Sequence, residues 1–426
     1  MEGVLDKTAQ YHAEVNRYFR HNAVRIIIDN AMFFIVGLGL SQYTILPLYL
    51  SKLTNSKILI GLIPTVVIAG FALPQIFVAR FLKNRPRRKT FLVLAATIQR
   101  TTILAFLILT LVQHSLSPVV TIVLFFIVLA AQNFMTGCWN PLYVDFVGHA
   151  LPRSRGTVLG ISYLIGGVIS ITGGGLITYL LKTLPYPKAI SASAAIAFVA
   201  SLISLAAIST WHETVPPQIE KALIQAHPDG NILHKVKLNK NFQKYLLWRG
   251  VIIGIEMALP FLTLSALDHL KVADAQVGIF AIILTLSQTV MYMFWGWYGD
   301  RVGYFKILLI ATIFGCAGAI LAAHATSLGL FYMVFVCAGA MLSGQQVANM
   351  NLIFEFSESD EIPTYAAIAQ LLLSPISGLM PILGGVLISF FGYGPLFWVA
   401  GLFGFGGTLG MFLKVKNPRK EPAAIK

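Results

Sequence analysis

The sequence predicts an all-α polytopic membrane protein with twelve transmembrane helices, and its composition and hydropathy are the basis of that prediction. Of its 426 residues, 57% are hydrophobic and only 11% are charged, whereas a soluble domain carries about a quarter charged residues. The mean hydropathy is +0.76. A chain this apolar cannot bury all its apolar side chains in the core of a water-soluble domain. Lipid is therefore the expected solvent. The strand alternation typical of a transmembrane β-barrel is not found.

Hydropathy divides the chain into six candidate spans before a polar stretch and six after it. A helix needs about 20 apolar residues to cross the hydrocarbon layer. The predicted spans are 23–50, 57–82, 90–112, 118–145, 156–181, 189–210, 245–268, 275–299, 305–325, 328–354, 364–391 and 395–413. The expected domains are a cytoplasmic segment 1–22, a bundle 23–210, a cytoplasmic linker 211–242, a second bundle 243–413 and a cytoplasmic tail 414–426.

The positive charges indicate the orientation. The net charge is +14, and most Lys and Arg residues fall on the segments at one end of the predicted helices. Basic loops stay on the cytoplasmic side of a membrane, so this end is expected to be cytoplasmic. Both termini and the central linker are therefore expected inside, in the plasma membrane. Because the charge follows topology, no nucleic-acid partner is expected. The first 22 residues lack the apolar core of a signal peptide. No Asn-x-Ser/Thr sequon occurs, which agrees with a prokaryotic origin.

Two further patterns bear on cofactors. The three cysteines, Cys138, Cys316 and Cys337, are scattered within spans and match no metal-binding spacing. The phosphate-binding pattern G-x4-G-K-[ST] does not occur either, so ATP drive is not expected. The sequence therefore predicts no metal, no cofactor and no enzymatic activity.

The two halves of the chain resemble each other. Leu50–Gly61 aligns with Leu267–Gly278, and Gly173–Tyr179 aligns with Gly384–Phe390, in the same order. Duplication predicts two pseudo-symmetric six-helix bundles. Such a pair is the architecture of transporters that work by alternating access, with the substrate between the halves near mid-membrane.

A motif follows the eighth predicted span. Its pattern, Gly296-x3-Asp300-Arg301-x-Gly303-x2-Lys306, resembles the signature loop of the major facilitator superfamily and lies at one of that family's two positions for it. The resemblance implies a monomeric secondary transporter in the lipid bilayer that moves a small-molecule solute, with proton coupling as an option. A symporter and an antiporter are both compatible with it.

The resemblance also implies that this loop latches the two halves on the cytoplasmic side. Gly296 would let a neighbouring helix approach closely. Asp300 would accept hydrogen bonds from the amides at the start of the fifth span, near Arg155. Arg301 and Lys306 would hold the turn in cytoplasmic water. A solvated turn that only sets topology is the alternative.

The corresponding loop of the first half, Ala79–Lys89, departs from the motif. Lys83 stands where the family has Asp, and lysine cannot accept a hydrogen bond. The acidic loop Glu355–Pro363 offers opposite charges, and the resemblance makes the second and eleventh spans neighbours. The sequence therefore predicts a charge-swapped latch, with unrelated surface charges as the alternative. Its members are Arg80, Lys83, Arg85, Arg87 and Arg88 on one side and Glu355, Glu358, Asp360 and Glu361 on the other.

Charges inside a membrane are costly and are functional candidates by default. Asp29 lies one turn after Arg25, so either a local ion pair or a proton-carrying group is expected. Glu256 is either a coupling group or a neutral structural carboxyl. Arg100 either anchors an acidic group of the substrate or pairs structurally. Asp145 is expected to tie the fourth span to the basic loop.

Uncharged polar residues complete the candidate substrate pathway, in spans that the family places around its cavity. Helical spacing puts Asn133 and Asn140 on one face, and likewise Gln345 and Asn349. Together they would suit a neutral or zwitterionic solute, with interhelical hydrogen bonding as the alternative. The pathway candidates are Tyr43, Arg100, Asn133, Trp139, Asn140, Gln345, Gln346 and Asn349. Drug export and nutrient uptake stay open, and a polytopic enzyme such as a lipid-group transferase is the alternative class.

Overall fold

The computed structural model describes residues 2–82, 88–151, 155–214, 239–357 and 362–420. Twelve helices in this part of the chain are long and apolar enough to cross a membrane, which confirms the predicted fold class. The chain is a multi-pass membrane protein. In order, the helices that contain spans one to six are Glu2–Gly39, Lys57–Leu82, Lys89–Val112, Pro118–Ala150, Arg155–Thr183 and Lys188–Ser209. Spans seven to twelve are Lys240–Leu270, Ala275–Val302, Tyr304–His324, Leu328–Phe356, Ile362–Phe391 and Tyr393–Lys414.

The first span differs from its predicted bounds. Its helix begins at Glu2 and ends at Gly39, and a separate short helix, Ile45–Ser51, follows. The apolar run continues through this break, so hydropathy alone placed one helix over 23–50. All six residues from Ile45 to Leu50 are buried, which explains why they are as apolar as a span.

The seventh span is interrupted at its centre. An α-helix Lys240–Ile253 passes into 3₁₀ turns over Gly254–Phe261, and an α-helix Leu262–Leu270 completes the span. Pro260 has no N–H to donate to the carbonyl of Glu256, one turn earlier, so one α-helical hydrogen bond is missing near the end of this segment. The interruption places Glu256 on irregular backbone inside a membrane helix.

Two compact units divide the chain. The first comprises Met1–Leu40 and Ala69–Pro228, and the second comprises Ser41–Ile68 and Asp229–Lys426. Within the first unit, the first span packs on the fifth and sixth, and the third packs on the fourth and sixth. Within the second, the seventh packs on the eleventh and twelfth, and the ninth packs on the tenth and twelfth. This identical pairing is the structural counterpart of the duplication seen in the sequence.

Glycines bring the second and eleventh spans together within the second unit. A Cβ atom on Gly61 would overlap the backbone of Pro381, and one on Gly385 would lie 2.5 Å from the carbonyl oxygen of Lys57. The Thr65 hydroxyl donates to the carbonyl of Gly378. The beginning of the second span therefore lies backbone to backbone against the eleventh.

Candidate functional sites: a buried arginine beside a carboxylate in each unit

The first unit buries Arg100 beside Asp29, and each residue is only 1% exposed. The Ser204 hydroxyl links them, accepting from Arg100 Nη2 at 2.6 Å and donating to Asp29 Oδ1 at 2.6 Å. The nearest nitrogen and oxygen of the ion pair itself are 4.0 Å apart. The third span, the sixth span and the first span are thus joined by one hydrogen-bonded chain.

The remaining donors of Arg100 are also used by the protein. Nε donates to the Ser201 carbonyl, and Nη1 donates to the Ala96 carbonyl and to Gln99 Oε1. The rings of Phe33 and Trp139 lie 5.2 and 5.8 Å from the guanidinium carbon. These contacts favour the structural pairing of Arg100 over the alternative in which it anchors a substrate.

The local ion pair expected between Arg25 and Asp29 is not found in the described residues. Arg25 instead donates from Nε to the Thr210 hydroxyl at 2.8 Å and from Nη1 to the His21 carbonyl. Helical spacing allowed the pair, but partners from the sixth span take both side chains. Asp29 is therefore bound to the core and Arg25 to the end of that span.

Trp139 belongs to an aromatic cluster. It is 6% exposed, and its ring packs edge-on against Phe33 at 5.5 Å and against Tyr143 at 5.2 Å. Asn133 donates to the Leu129 carbonyl of its own helix, and Asn140 is half-buried. The sequence analysis did not single out Tyr143, whose hydroxyl donates to Asn30 Oδ1 at 2.9 Å.

The second unit also buries an arginine, Arg249, which is 3% exposed. Nε donates to Asn349 Oδ1 at 3.1 Å, and Nη2 donates to Gln345 Oε1 at 3.1 Å. Nη2 also lies 3.6 Å from Glu256 Oε1. The structure thus brings together three of the predicted site residues around a guanidinium that the sequence analysis had not singled out.

Hydropathy did not draw attention to Arg249 for a simple reason. The helix starts at Lys240, and its first turns are polar enough to resemble a loop in a hydropathy window. Arg249 lies more than two turns inside it. The seven-residue spacing between Arg249 and Glu256 puts both on one helix face, and that spacing was the available signal.

Among the described residues, the hydrogen bonds to Arg249 do not include the other pathway candidates of the second unit, Gln346 and Tyr43. Gln346 is exposed, because adjacent residues on a helix point in different directions. The Tyr43 carbonyl accepts a hydrogen bond from Thr263 of the seventh span at 2.9 Å. Tyr43 therefore packs with the second unit although it precedes the second span in sequence.

The motif loop forms a tight turn between the eighth and ninth spans. Gly303 has φ +88° and ψ 149°, a conformation essentially restricted to glycine. Arg301 lies over the Trp297 ring at 4.0 Å, and Lys306 is exposed. Glycine is thus required at 303 by the backbone itself.

One expectation for the motif, a close helix approach at Gly296, needs correction, while the expected contact of Asp300 near Arg155 lies outside the residues whose side chains are described. A Cβ on Gly296 would meet no atom within 4 Å, so the described residues include no close helix approach there. Asp300 accepts from the Tyr304 hydroxyl at 2.6 Å, and the carboxylate that accepts from the amide at the start of the ninth span is Glu355, at 3.3 Å from Tyr304 N. The crowded glycine is Gly299, packed on the Tyr304 ring.

The cytoplasmic latch is only partly covered by the described residues. Asp145 Oδ1 lies 2.7 Å from Arg88 Nη1, in agreement with the expected tie between the fourth span and the basic loop. The remaining predicted members lie outside the residues whose side chains are described: Arg80, Lys83, Arg85, Arg87, Arg155, Glu358, Asp360 and Glu361.

An ion-paired cluster, which we name the outer clasp, was not predicted. Lys57 Nζ lies 3.2 Å from Asp268 Oδ2 and 2.8 Å from the Tyr393 hydroxyl, which itself donates to Asp268 at 2.6 Å. Lys52 pairs with Asp274 at 2.8 Å. Sequence reasoning placed both lysines at the outer end of the helices but identified no partner for them.

Comparison with known proteins agrees with this architecture. Residues 250–426 match the family model for the Major Facilitator Superfamily. A curated relative, the bicyclomycin resistance protein homolog of Haemophilus influenzae (strain ATCC 51907 / DSM 11121 / KW20 / Rd), is 25% identical over 169 residues, which is 39% of this chain. The match spans 42% of that relative's own length.

Solved structures cover nearly the whole chain. A mutant of the nucleoside transporter NupG superposes with a TM-score of 0.71 at 14% identity, over 93% of this chain and 100% of its own. The D-xylose-proton symporter gives 0.70 at 14% identity, over 94% and 99%. The bacterial homolog of the human lysosomal transporter Spinster, solved inward-facing and unoccupied, gives 0.60 at 16% identity, over 93% and 94%. Residues 250–426 thus match the family model, and nearly the whole chain shares the fold of these solved transporters.

Proposed function

We propose that the chain is a secondary active transporter that moves a small polar solute across the plasma membrane by alternating access. The observation that carries the proposal is the position of Ser41–Ile68. This segment belongs by sequence to the first six spans, yet it packs within the unit formed by the last six. If a central site opens at the end of the helices where this segment lies, these contacts must break and re-form in each transport cycle.

The contacts of Ser41–Ile68 suit such a cycle. The outer clasp is partly exposed: the side chains of Lys57 and Asp268 are 24% and 51% exposed, and those of Lys52 and Asp274 are 36% and 35% exposed. Exposed ion pairs contribute about 0–1 kcal/mol each. A cluster of this strength stabilises one conformation without trapping it, since conformational equilibria of this kind turn on a few kcal/mol.

Proton coupling is part of the proposal, and Glu256 is a better coupling group than Asp29. Asp29 is fixed by the Ser204 hydroxyl and lies in a fully enclosed chain of hydrogen bonds. The Glu256 side chain is 18% exposed and stands on the interrupted seventh span. A partly exposed carboxyl group on irregular backbone exchanges protons and hydrogen-bond partners more readily than a fully enclosed one such as Asp29.

The direction of transport has two candidates. The charge distribution supports cytoplasmic termini and a basic inner face, which suits uptake and export equally. The curated relative is by name a resistance protein, and this observation supports drug export as the second candidate beside nutrient uptake. A membrane enzyme remains the alternative class.

Transport by purified protein in proteoliposomes tests the proposal. Radiolabelled solutes from several classes are offered with and without an imposed pH gradient. We expect one class to accumulate, and a protonophore to abolish the accumulation. Chemical conversion of a solute without accumulation would instead support the enzyme alternative. Equal accumulation with and without every ion gradient would contradict secondary transport.

A further inference from the structure

The two buried arginines differ in how completely the protein satisfies them. Every guanidinium nitrogen of Arg100 has a hydrogen-bond acceptor. Arg249 is equally buried, yet its Nη1 has no hydrogen-bond partner among the described residues. A buried donor left without an acceptor costs about 1–3 kcal/mol, and more when it is charged. Such a cost at one of two otherwise comparable sites indicates a group that acts on something other than the protein.

A second unpartnered donor adjoins the first. Gln345 is 3% exposed, and its Nε2 also has no partner among the described residues. Its amide orientation follows from chemistry, because only the oxygen can accept the hydrogen bond from Arg249 Nη2. The unused N–H groups of Arg249 and Gln345 therefore belong to two side chains that are directly hydrogen-bonded to each other.

The backbone beside these donors is irregular. Glu256 lies in the 3₁₀ turns of the seventh span, 3.6 Å from Arg249, and it is also hydrogen-bonded to Ser377 of the eleventh span. Irregular backbone at membrane depth is tolerated where it is buried in protein or lines a cavity, and interrupted helices are typical of substrate sites in transporters. The segment is buried except at Glu256, and an interruption beside the two unpartnered donors agrees with a binding site at this cluster.

We infer that Arg249 and Gln345 form a subsite for a carboxylate group of the transported solute. The inference rests on the proposed transport function and names the substrate class. The planar Nη1 group offers two N–H donors, and the Gln345 amide offers two more. A ligand group that bears only acceptors, such as the two oxygens of a carboxylate, matches this set of donors. Asn349 holds Nε and thereby fixes the plane of the guanidinium.

The local charge favours a carboxylate over a dianionic phosphate. Arg249 contributes one positive charge, and Glu256 is the carboxylate that faces it. When Glu256 takes up a proton, one unbalanced positive charge remains, which a monoanion neutralises and a dianion would exceed. Glu256 and the carboxylate of the solute thus compete for the same guanidinium.

Thermal unfolding of the full-length protein in detergent tests this subsite. The probes are short monocarboxylates, including hydroxy acids and amino acids, each compared with its own primary amide. We expect carboxylates but not amides to raise the melting temperature of the wild type. Glu256→Gln removes the competitor and should strengthen binding about tenfold, which corresponds to about 1.4 kcal/mol. Arg249→Lys, which keeps the charge but loses the planar fork, should abolish the shift.

Two controls separate binding from folding. Gln345→Leu removes only the amide donor and acceptor and should weaken carboxylate binding while the protein stays monodisperse. Arg100→Lys alters the other buried arginine and should lower the starting melting temperature while the carboxylate shift persists. Equal shifts from acids and amides, no shift from any carboxylate, or full binding by Arg249→Lys would overturn the inference. Because binding is measured without vesicles, it can succeed when accumulation in proteoliposomes fails, so the two proposals fail separately.

Discussion

The guanidinium of Arg100 and the carboxylate of Asp29 lie 4.0 Å apart, with the Ser204 hydroxyl between them. The bridge satisfies both charges at a depth where water is excluded. It joins three spans of the first unit, since each residue comes from a different helix. The pair therefore has the geometry of a structural ion pair, which sets the expectation for its substitution.

Asp29→Asn should destabilise the protein strongly. The substitution keeps the size of the side chain but leaves the Arg100 charge buried and uncompensated. Removal of one partner of a buried pair costs about 3–5 kcal/mol. Thermal unfolding of purified protein in detergent measures the loss. The double variant Asp29→Asn/Arg100→Gln should recover part of it, because no unpaired charge is then left.

Arg25→Gln is the matched control for this pair. Arg25 lies on the same helix as Asp29 and carries the same charge as Arg100, but its hydrogen bond to Thr210 is solvent-exposed. Its substitution should change stability by less than about 1 kcal/mol. If Asp29→Asn is no more harmful than Arg25→Gln, the bridge is not structural.

The sequence predicted most of the helices because hydropathy reports the length of an apolar run. Eleven of the predicted spans lie within a few residues of the observed helices, as with 189–210 against Lys188–Ser209. The first span was misplaced because hydropathy does not register a backbone turn in an apolar run. The interruption at Gly254–Phe261, which contains Pro260, was likewise invisible to hydropathy because the segment is apolar throughout except for Glu256.

Part of the Arg249 cluster was predicted because helical periodicity can be seen in the sequence. Helical spacing placed Gln345 and Asn349 on one face, and both indeed contact Arg249. Their partner could not be identified from one chain, because contacts between helices depend on packing that periodicity does not contain. The outer clasp was missed likewise, since Lys57 and Asp268 are more than two hundred residues apart in sequence.

Charge reversal in the outer clasp should open the end of the second unit at which the clasp lies. Lys57→Asp places two acids together and should speed the labelling of a cysteine at position 265 by a membrane-impermeant maleimide. Ser265 is fully buried, and the three native cysteines are replaced by alanine beforehand. The pair is partly exposed, so a several-fold change in rate is expected for about 1 kcal/mol.

The exchanged pair Lys57→Asp/Asp268→Lys should return labelling toward the original rate. Lys182→Asp is the control, because this lysine is exposed at the same predicted end of the helices and has no ion pair in the described part of the chain. Failure of the exchange to slow labelling would show that the charges of the clasp do not hold this end closed.

Gly61→Ala should loosen the contact between the second and eleventh spans. The new Cβ would overlap the backbone of Pro381, and backbone cannot move aside as a side chain can. Overpacking of this kind costs about 1–3 kcal/mol, measured by thermal unfolding, and should also speed labelling at position 265. Gly406→Ala is the control, since its Cβ meets nothing within 4 Å. Equal behaviour of the two alanine variants would contradict the tight packing at Gly61.

Gly303→Ala and Gly296→Ala should separate the two glycines of the motif. Gly303 has φ +88°, so alanine there is strained by about 1–3 kcal/mol. Gly296 is helical with open space around its Cα, so alanine should be neutral or stabilising by about 0.5–1 kcal/mol.

Thermal unfolding measures the stability of the two variants, and accumulation in proteoliposomes measures their transport. Only Gly303→Ala should lower both, because the turn that positions Asp300 and Tyr304 depends on that backbone conformation. A Gly296→Ala variant as impaired as Gly303→Ala would mean that a neighbouring helix meets Gly296 during transport, as the family resemblance implied.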